Sequence, residues 1–127
     1  MGKFSNVMGT LYNYFNQFLP AYIEGQIPDK VDGKKVEPPY ITYSVSYANE
    51  YEDNLIQCRI WTKSDTTFEV RKYADMIADN VGNGTLFKCK EGGQVWIKTG
   101  SPFMQIVPDE DETIKSVYIN LITNFLI

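Results

Sequence analysis

Thr66-Thr67-Phe68-Glu69-Val70-Arg71-Lys72-Tyr73-Ala74-Asp75-Met76-Ile77-Ala78-Asp79-Asn80-Val81-Gly82 decides how the rest of the chain is read. Val70, Tyr73, Ala74, Ile77, Ala78 and Val81 recur at the period of a helix with one buried face. Thr66 and Glu69 have capping-box spacing, in which a hydroxyl and a carboxylate each satisfy an otherwise orphan amide. Gly82 ends the run, because it tolerates the left-handed backbone that closes many helices. Such a helix needs a layer to cover, and the flanking sequence supplies one.

On the N-terminal side, Leu55 to Thr62 sets Ile56, Cys58 and Ile60 against Gln57, Arg59 and Trp61, the period of a half-buried strand. Trp61 falls on the polar side, where another part of the fold or another subunit is expected to cover it. Tyr40 to Tyr47 repeats the pattern, with Ile41, Tyr43, Val45 and Tyr47 on one face and Thr42, Ser44 and Ser46 on the other. The connection Ala48 to Asn54 is acidic, carrying Glu50, Glu52 and Asp53. Pro38-Pro39 stiffens the approach to the first strand. Further upstream, Glu24 to Lys35 is polar and reads as a loop or irregular hairpin, with Asp32-Gly33 its tight turn. Between Val7 and Tyr22, residues Leu11, Phe15, Phe18, Leu19 and Tyr22 form one helical stripe opposite Asn13, Asn16 and Gln17. Pro20 ends or kinks that helix near Leu19.

On the C-terminal side, Thr85 to Lys90 and Gln94 to Thr99 flank Glu91-Gly92-Gly93, a hairpin signal. Ser101 to Pro108 is extended, and Asp109-Glu110-Asp111-Glu112 is a short acidic loop. Thr113 to Leu126 is a last strand with Val117, Ile119 and Leu121 opposite Tyr118, Asn120 and Ile122. Strands running consecutively on both sides of one helix predict an α+β fold: a mixed, mainly antiparallel sheet with two principal helices packed against it. The 127 residues fit one domain, residues 1–127. A chain of this length buries roughly two-thirds of its unfolded surface.

Nine Tyr, seven Phe and two Trp make 14% of the chain aromatic, which suits a β-rich protein with contact surfaces as well as an aromatic core. The net charge is −4, and its 12 basic and 16 acidic residues are spread through the chain. Without a Lys/Arg block there is nothing to neutralise a run of phosphates or an anionic membrane surface. No stretch approaches the ~18 apolar residues that cross a bilayer as a helix. Met1 to Leu19 is interrupted by Asn6, Asn13, Asn16 and Gln17 and does not read as a signal peptide, so the expected compartment is the cytoplasm. Cys58 and Cys89 are then expected as buried reduced thiols, with a disulfide between adjacent strands the alternative.

The chain contains no His. That removes the usual general base, the Ser-His and Cys-His nucleophile pairs and most zinc sites. Gly82-Asn83-Gly84 and Gly92-Gly93 read as turns rather than a strand-to-helix phosphate cradle. Asp109 to Glu112 lacks the alternate ligands, glycine and distal Glu of a calcium loop. No catalytic residue, metal or cofactor is expected. An enzyme of this composition would work with Asp, Glu, Lys, Tyr or Cys alone.

Three stretches in this order resemble the tail terminator (tail completion) proteins of long-tailed bacteriophages and phage-tail-like particles, together with related minor tail and head–tail joining proteins. They are Pro38-Pro39-Tyr40-Ile41-Thr42-Tyr43; Ile56 to Ser64 leading into the helix Phe68 to Val81; and Ile97 to Phe103 followed, after acidic residues, by Ile114 to Leu121. The resemblance covers almost the whole chain. It implies a non-catalytic ring, usually a hexamer, seated on the last ring of tube subunits. That ring ends tail growth and offers a surface to the head–tail connector or stopper, with DNA passing through. The expected setting is the tail or neck of a virion assembled in the bacterial cytoplasm. A different neck component, such as a head–tail stopper or minor capsid protein, is the nearest alternative; a small ligand-binding or catalytic α+β domain is the more distant one. Interface candidates on this reading are Tyr43, Tyr47 and Trp61, since Tyr and Trp anchor interfaces, against core or sheet packing for the same residues. Candidate assembly loops are Glu24 to Glu37 and Ala48 to Asp53, the latter with Glu50, Glu52 and Asp53; plain solvent-exposed loops are the alternative.

Overall fold

A computed structural model describes residues 3–47, 52–108 and 111–126. The chain runs α1 (Lys3–Asn16), β1 (Ala21–Ile23), β2 (Lys30–Val31), β3 (Lys34–Lys35), β4 (Tyr40–Ser46), β5 (Asn54–Lys63), α2 (Phe68–Val81), β6 (Thr85–Lys88), β7 (Gln94–Val107) and β8 (Ile114–Leu126). Six strands form one sheet in the order β1-β4-β5-β8-β7-β6. Only the β1–β4 pairing is parallel among them. The fold is therefore α+β, with a mainly antiparallel sheet and two helices.

Register decides which side of the sheet is buried. Ile41 faces Ile60 and Ile60 faces Val117; Tyr43, Cys58 and Ile119 form the next row, and Val45, Ile56 and Leu121 the one after. These rows, with Val95, Ile97 and Phe125, make the apolar side. Val7, Leu11, Tyr14 and Phe15 from α1, and Val70, Ala74, Ile77 and Val81 from α2, join the same buried cluster. Helix α2 lies against β5, β8 and β7, and α1 against β1 and β7. Each fully buried Ile, Leu or Phe in this layer contributes about 1.5–3 kcal/mol by leaving water.

Several local expectations need correction. The first helix does not reach Tyr22. It ends at Asn16, whose side chain turns back to donate to the Tyr12 carbonyl (2.8 Å) and to accept the Ala21 amide (3.1 Å). With Pro20 offering no donor, residues 21–23 instead pair in parallel with β4, and Tyr22 becomes a strand residue. The capping box at α2 is not formed. The N-cap is Thr67, without a side-chain cap bond. The Thr66 amide that Glu69 was expected to hold is taken by Ser64 Oγ at 3.3 Å, and Thr66 Oγ1 accepts from the Phe68 amide at 3.4 Å. The two extended stretches after Gln94 are one strand, β7, with an irregular register between Thr99 and Met104. Strand β6 ends at Lys88, so buried Cys89 sits in the following turn rather than in a strand.

Other expectations hold. Asp32 and Gly33 carry φ of 51° and 78° and turn the small β2–β3 ribbon, as a tight Asp-Gly hairpin requires. Both cysteines are free and buried.

Among the glycines, Gly84 leaves the least room for a side chain. Its φ is 134°, and a Cβ there would lie 2.1 Å from the Trp96 ring. Gly84→Ala is expected to cost about 1–3 kcal/mol in urea unfolding, with Trp96 displaced and its fluorescence changed. Gly9, inside α1, has nothing within 4 Å of a built Cβ. Gly9→Ala should therefore stabilise by about 0.5–1 kcal/mol in the same assay.

Candidate functional site

Among the described residues, the sheet face opposite the helices carries no covering element. The residues that alternate with the core rows stand here. Trp61 faces Ser116 and Tyr40, Arg59 faces Tyr118 and Thr42, and Gln57 faces Asn120 and Ser44. Arg59 occupies the centre. Its guanidinium carbon lies 3.7 Å from the Trp61 ring centroid and 5.0 Å from that of Tyr118. The same group donates to Ser116 Oγ from Nε (3.1 Å) and Nη2 (2.9 Å), and to the Tyr118 hydroxyl from Nη1 (3.4 Å). Trp61 Nε1 donates to Thr42 Oγ1 at 3.1 Å, which satisfies the one polar atom of the indole. Tyr40 meets Trp61 at 6.2 Å between ring centroids, and Tyr22 meets Tyr40 at 6.0 Å. A half-buried band of Tyr22, Tyr40, Trp61, Arg59 and Tyr118 thus crosses four strands.

Stacking fixes each ring and hydrogen bonds hold the guanidinium, so the surface is ordered before anything meets it. Burial raises the Tyr40 hydroxyl pKa, against the opposing pull of Arg59.

The expected interface residues are scattered. Trp61 lies in the band. Tyr43 is taken by the core: it is 1% exposed and packs on Phe15 at 4.8 Å. Tyr47 follows β4 and stacks on Phe125 at 5.3 Å, leaving 44% of it exposed. Glu50 lies outside the described residues. The Glu52 carbonyl accepts from Asn54 and Asn124. The Asp53 carboxylate accepts from Asn124 Nδ2 at 2.7 Å and stands 3.9 Å from Lys98 Nζ. Tyr47, Glu52 and Asp53 therefore mark one end of the sheet, away from Trp61. Sequence reasoning missed Arg59, Tyr40 and Tyr118 as a group. Their shared face was visible in the two-residue alternation, but their adjacency depends on which strands pair.

A groove of about 680 Å3 separates α1 from β6. Its floor is Tyr14 and Phe87, with ring centroids 4.8 Å apart, and its rim includes Lys88, Lys90 and Glu91. Asn6 closes one end by donating to the Gly92 carbonyl (2.9 Å) and accepting the Glu91 amide (3.1 Å). Tyr14 donates to Asn80 Oδ1 at 3.1 Å. Among the described residues no group of three or more His, Cys, Asp or Glu is placed to hold a metal ion. No helix among them is long and apolar enough to cross a membrane. No protein-family model matches the chain, and no curated protein matches it.

Arg59→Lys keeps the charge and loses the planar fork. It should cost about 1–2 kcal/mol in urea unfolding and red-shift tryptophan emission, because an ammonium neither stacks over Trp61 nor reaches Ser116 twice. Alkaline stability follows from the core. Burial pushes the Tyr43 hydroxyl up to about 12 and the Cys58 thiol well above its ordinary value. The unfolded chain releases these protons from about pH 9–10 upward, while the folded chain retains them, so stability should fall as pH rises above 9. Urea midpoints measured from pH 7 to 11 check the sign: a midpoint unchanged or rising above pH 9 contradicts it.

Proposed function

We propose that this chain is a structural assembly protein of a phage or phage-tail-like particle, one that caps the tail tube as a ring of copies and ends tail growth. The top of that ring then presents the head–tail joining surface. One observation carries the reading: the helices protect only one side of the sheet, and the other side presents a rigid aromatic–arginine band built for contact. The likeness of Pro38 to Tyr43, Ile56 to Val81 and Ile97 to Leu121 to tail terminator sequences supplies the context. Arg, Tyr and Trp concentrate in the anchors of protein interfaces. Two further features support it. The sheet ends in the unlike edge strands β1 and β6, and a ring closes through unlike patches, each meeting a different patch on the next copy. Large apolar side chains such as Tyr12, Phe68 and Ile106 are also exposed.

Electron micrographs of particles made without this protein provide the test. Tails of uncontrolled length are expected. Tails of normal length that lack heads would instead assign a stopper role, and normal particles would end the reading.

A further inference from the structure

We propose that the sheet face opposite the helices receives the outward side of helix α2 from a second copy of this chain, an inference that rests on the assembly reading above. Helix α2 has two unlike sides. Val70, Ala74, Ile77 and Val81 are buried against its own sheet. At 3.6 residues per turn, Phe68, Lys72, Asp75, Met76 and Asp79 fall on the opposite side. Phe68 is 69% exposed and Met76 42%. Two large apolar side chains thus stand in water about 12 Å apart along the helix axis.

The charges on that side run against local preference. Asp75 and Asp79 are one turn apart, a spacing at which like charges repel. Asp79 also stands in the last turn, which holds no basic residue, where the helix dipole disfavours a carboxylate. Neither carboxylate has an ion-pair partner among the described residues. Lys72 is the one cation on this stripe, and Arg71 and Glu69 flank it with opposite signs. A surface that departs from local rules in this way points to a use outside its own chain. The partner it calls for brings apolar cover and positive charge.

The open sheet face has both. Among the described residues no strand contains Asp or Glu, so every charged strand residue is Lys or Arg. In the six-stranded sheet, Arg59, Lys63, Lys88 and Lys98 alternate onto the open face, and Lys115 onto the other. Carboxylates near this face stand at its rim: Glu24 after β1, Glu52 and Asp53 before β5, and Asp111 before β8. Asp53 already lies 3.9 Å from Lys98, and Asp111 acts on Lys63. The aromatic band crosses four strands, about 14 Å, a reach that matches the spacing of Phe68 and Met76. A helix laid on it makes a further layer, and the two patches are unlike, as a head-to-tail contact requires.

Sedimentation velocity over a concentration series tests this. The unaltered chain should self-associate, less strongly as salt rises. Phe68→Ser should weaken association about tenfold or more, as should Lys63→Glu with Lys98→Glu. Circular dichroism confirms that each variant is folded, as expected for substitutions outside the core. Asp79→Lys should weaken association while raising the urea midpoint of the monomer, because it replaces a repulsive pair by a favourable one and suits the dipole. A merely structural role for Asp79 would move only the midpoint. Phe68→Ser chains mixed with Lys63→Glu, Lys98→Glu chains keep one intact patch each, and should form a dimer and go no further. Self-association that none of these changes alters, or a mixture that stays monomeric, overturns the contact and leaves the assembly reading standing. A chain that stays monomeric at high concentration, even with tube subunits added, overturns both.

Discussion

The ladder between β5 and β8 runs unbroken from Asn54 opposite Thr123 to Lys63 opposite Ile114, and the rest of the molecule is organised around it. Side chains alternate along both strands, so this single register sends Ile56, Cys58, Ile60, Val117, Ile119 and Leu121 to one side and Arg59, Trp61, Ser116 and Tyr118 to the other. A slip by one residue would exchange the two sets and bury a guanidinium without its partners. Hydrophobic burial and polar satisfaction select the same pairing, which is why two strands of such mixed composition settle in one arrangement. Strand β4 extends the pattern on one flank and β7 on the other. The two helices then need only cover the apolar side.

The aromatic–arginine band follows from that register. Among the described residues no helix lies above Trp61, and its cover comes from its own sheet: Arg59 over the ring, Thr42 on the indole nitrogen and Tyr40 at the edge. Such a surface resists rearrangement because each member is held by at least one neighbour. Side chains ordered in this way have little conformational entropy left to lose. The groove beside β6 is built differently. Its floor is the pair of Tyr14 and Phe87 rings, and its rim carries Lys88, Lys90 and Glu91.

Where local sequence and tertiary contacts competed, the tertiary contacts prevailed. Tyr22 continues the apolar period of the first helix, yet parallel pairing with β4 draws residues 21–23 into the sheet once Asn16 and Pro20 have ended α1. The capping box of Thr66 and Glu69 was lost to a local competitor instead: Ser64, two residues upstream, takes the Thr66 amide, while the helix keeps its expected span Phe68–Val81. Tyr43 and Tyr47 fall on one face of the two-residue alternation, yet Tyr43 lies inside β4 and is sealed against Phe15, while Tyr47 follows the strand and stacks half-exposed on Phe125.

Sequence by itself determined the class of fold, the helix over Phe68–Val81, the Asp32-Gly33 turn and the buried side of β4, β5 and β8. Each of these is written in a short period or a local backbone preference. The assembly of Arg59, Trp61, Tyr40 and Tyr118 into one surface, and the groove between Tyr14 and Phe87, were decided only by the tertiary structure. Their members come from strands and helices far apart in the chain. Distance in sequence carries no information about such neighbours until strand order and helix packing bring them within van der Waals reach.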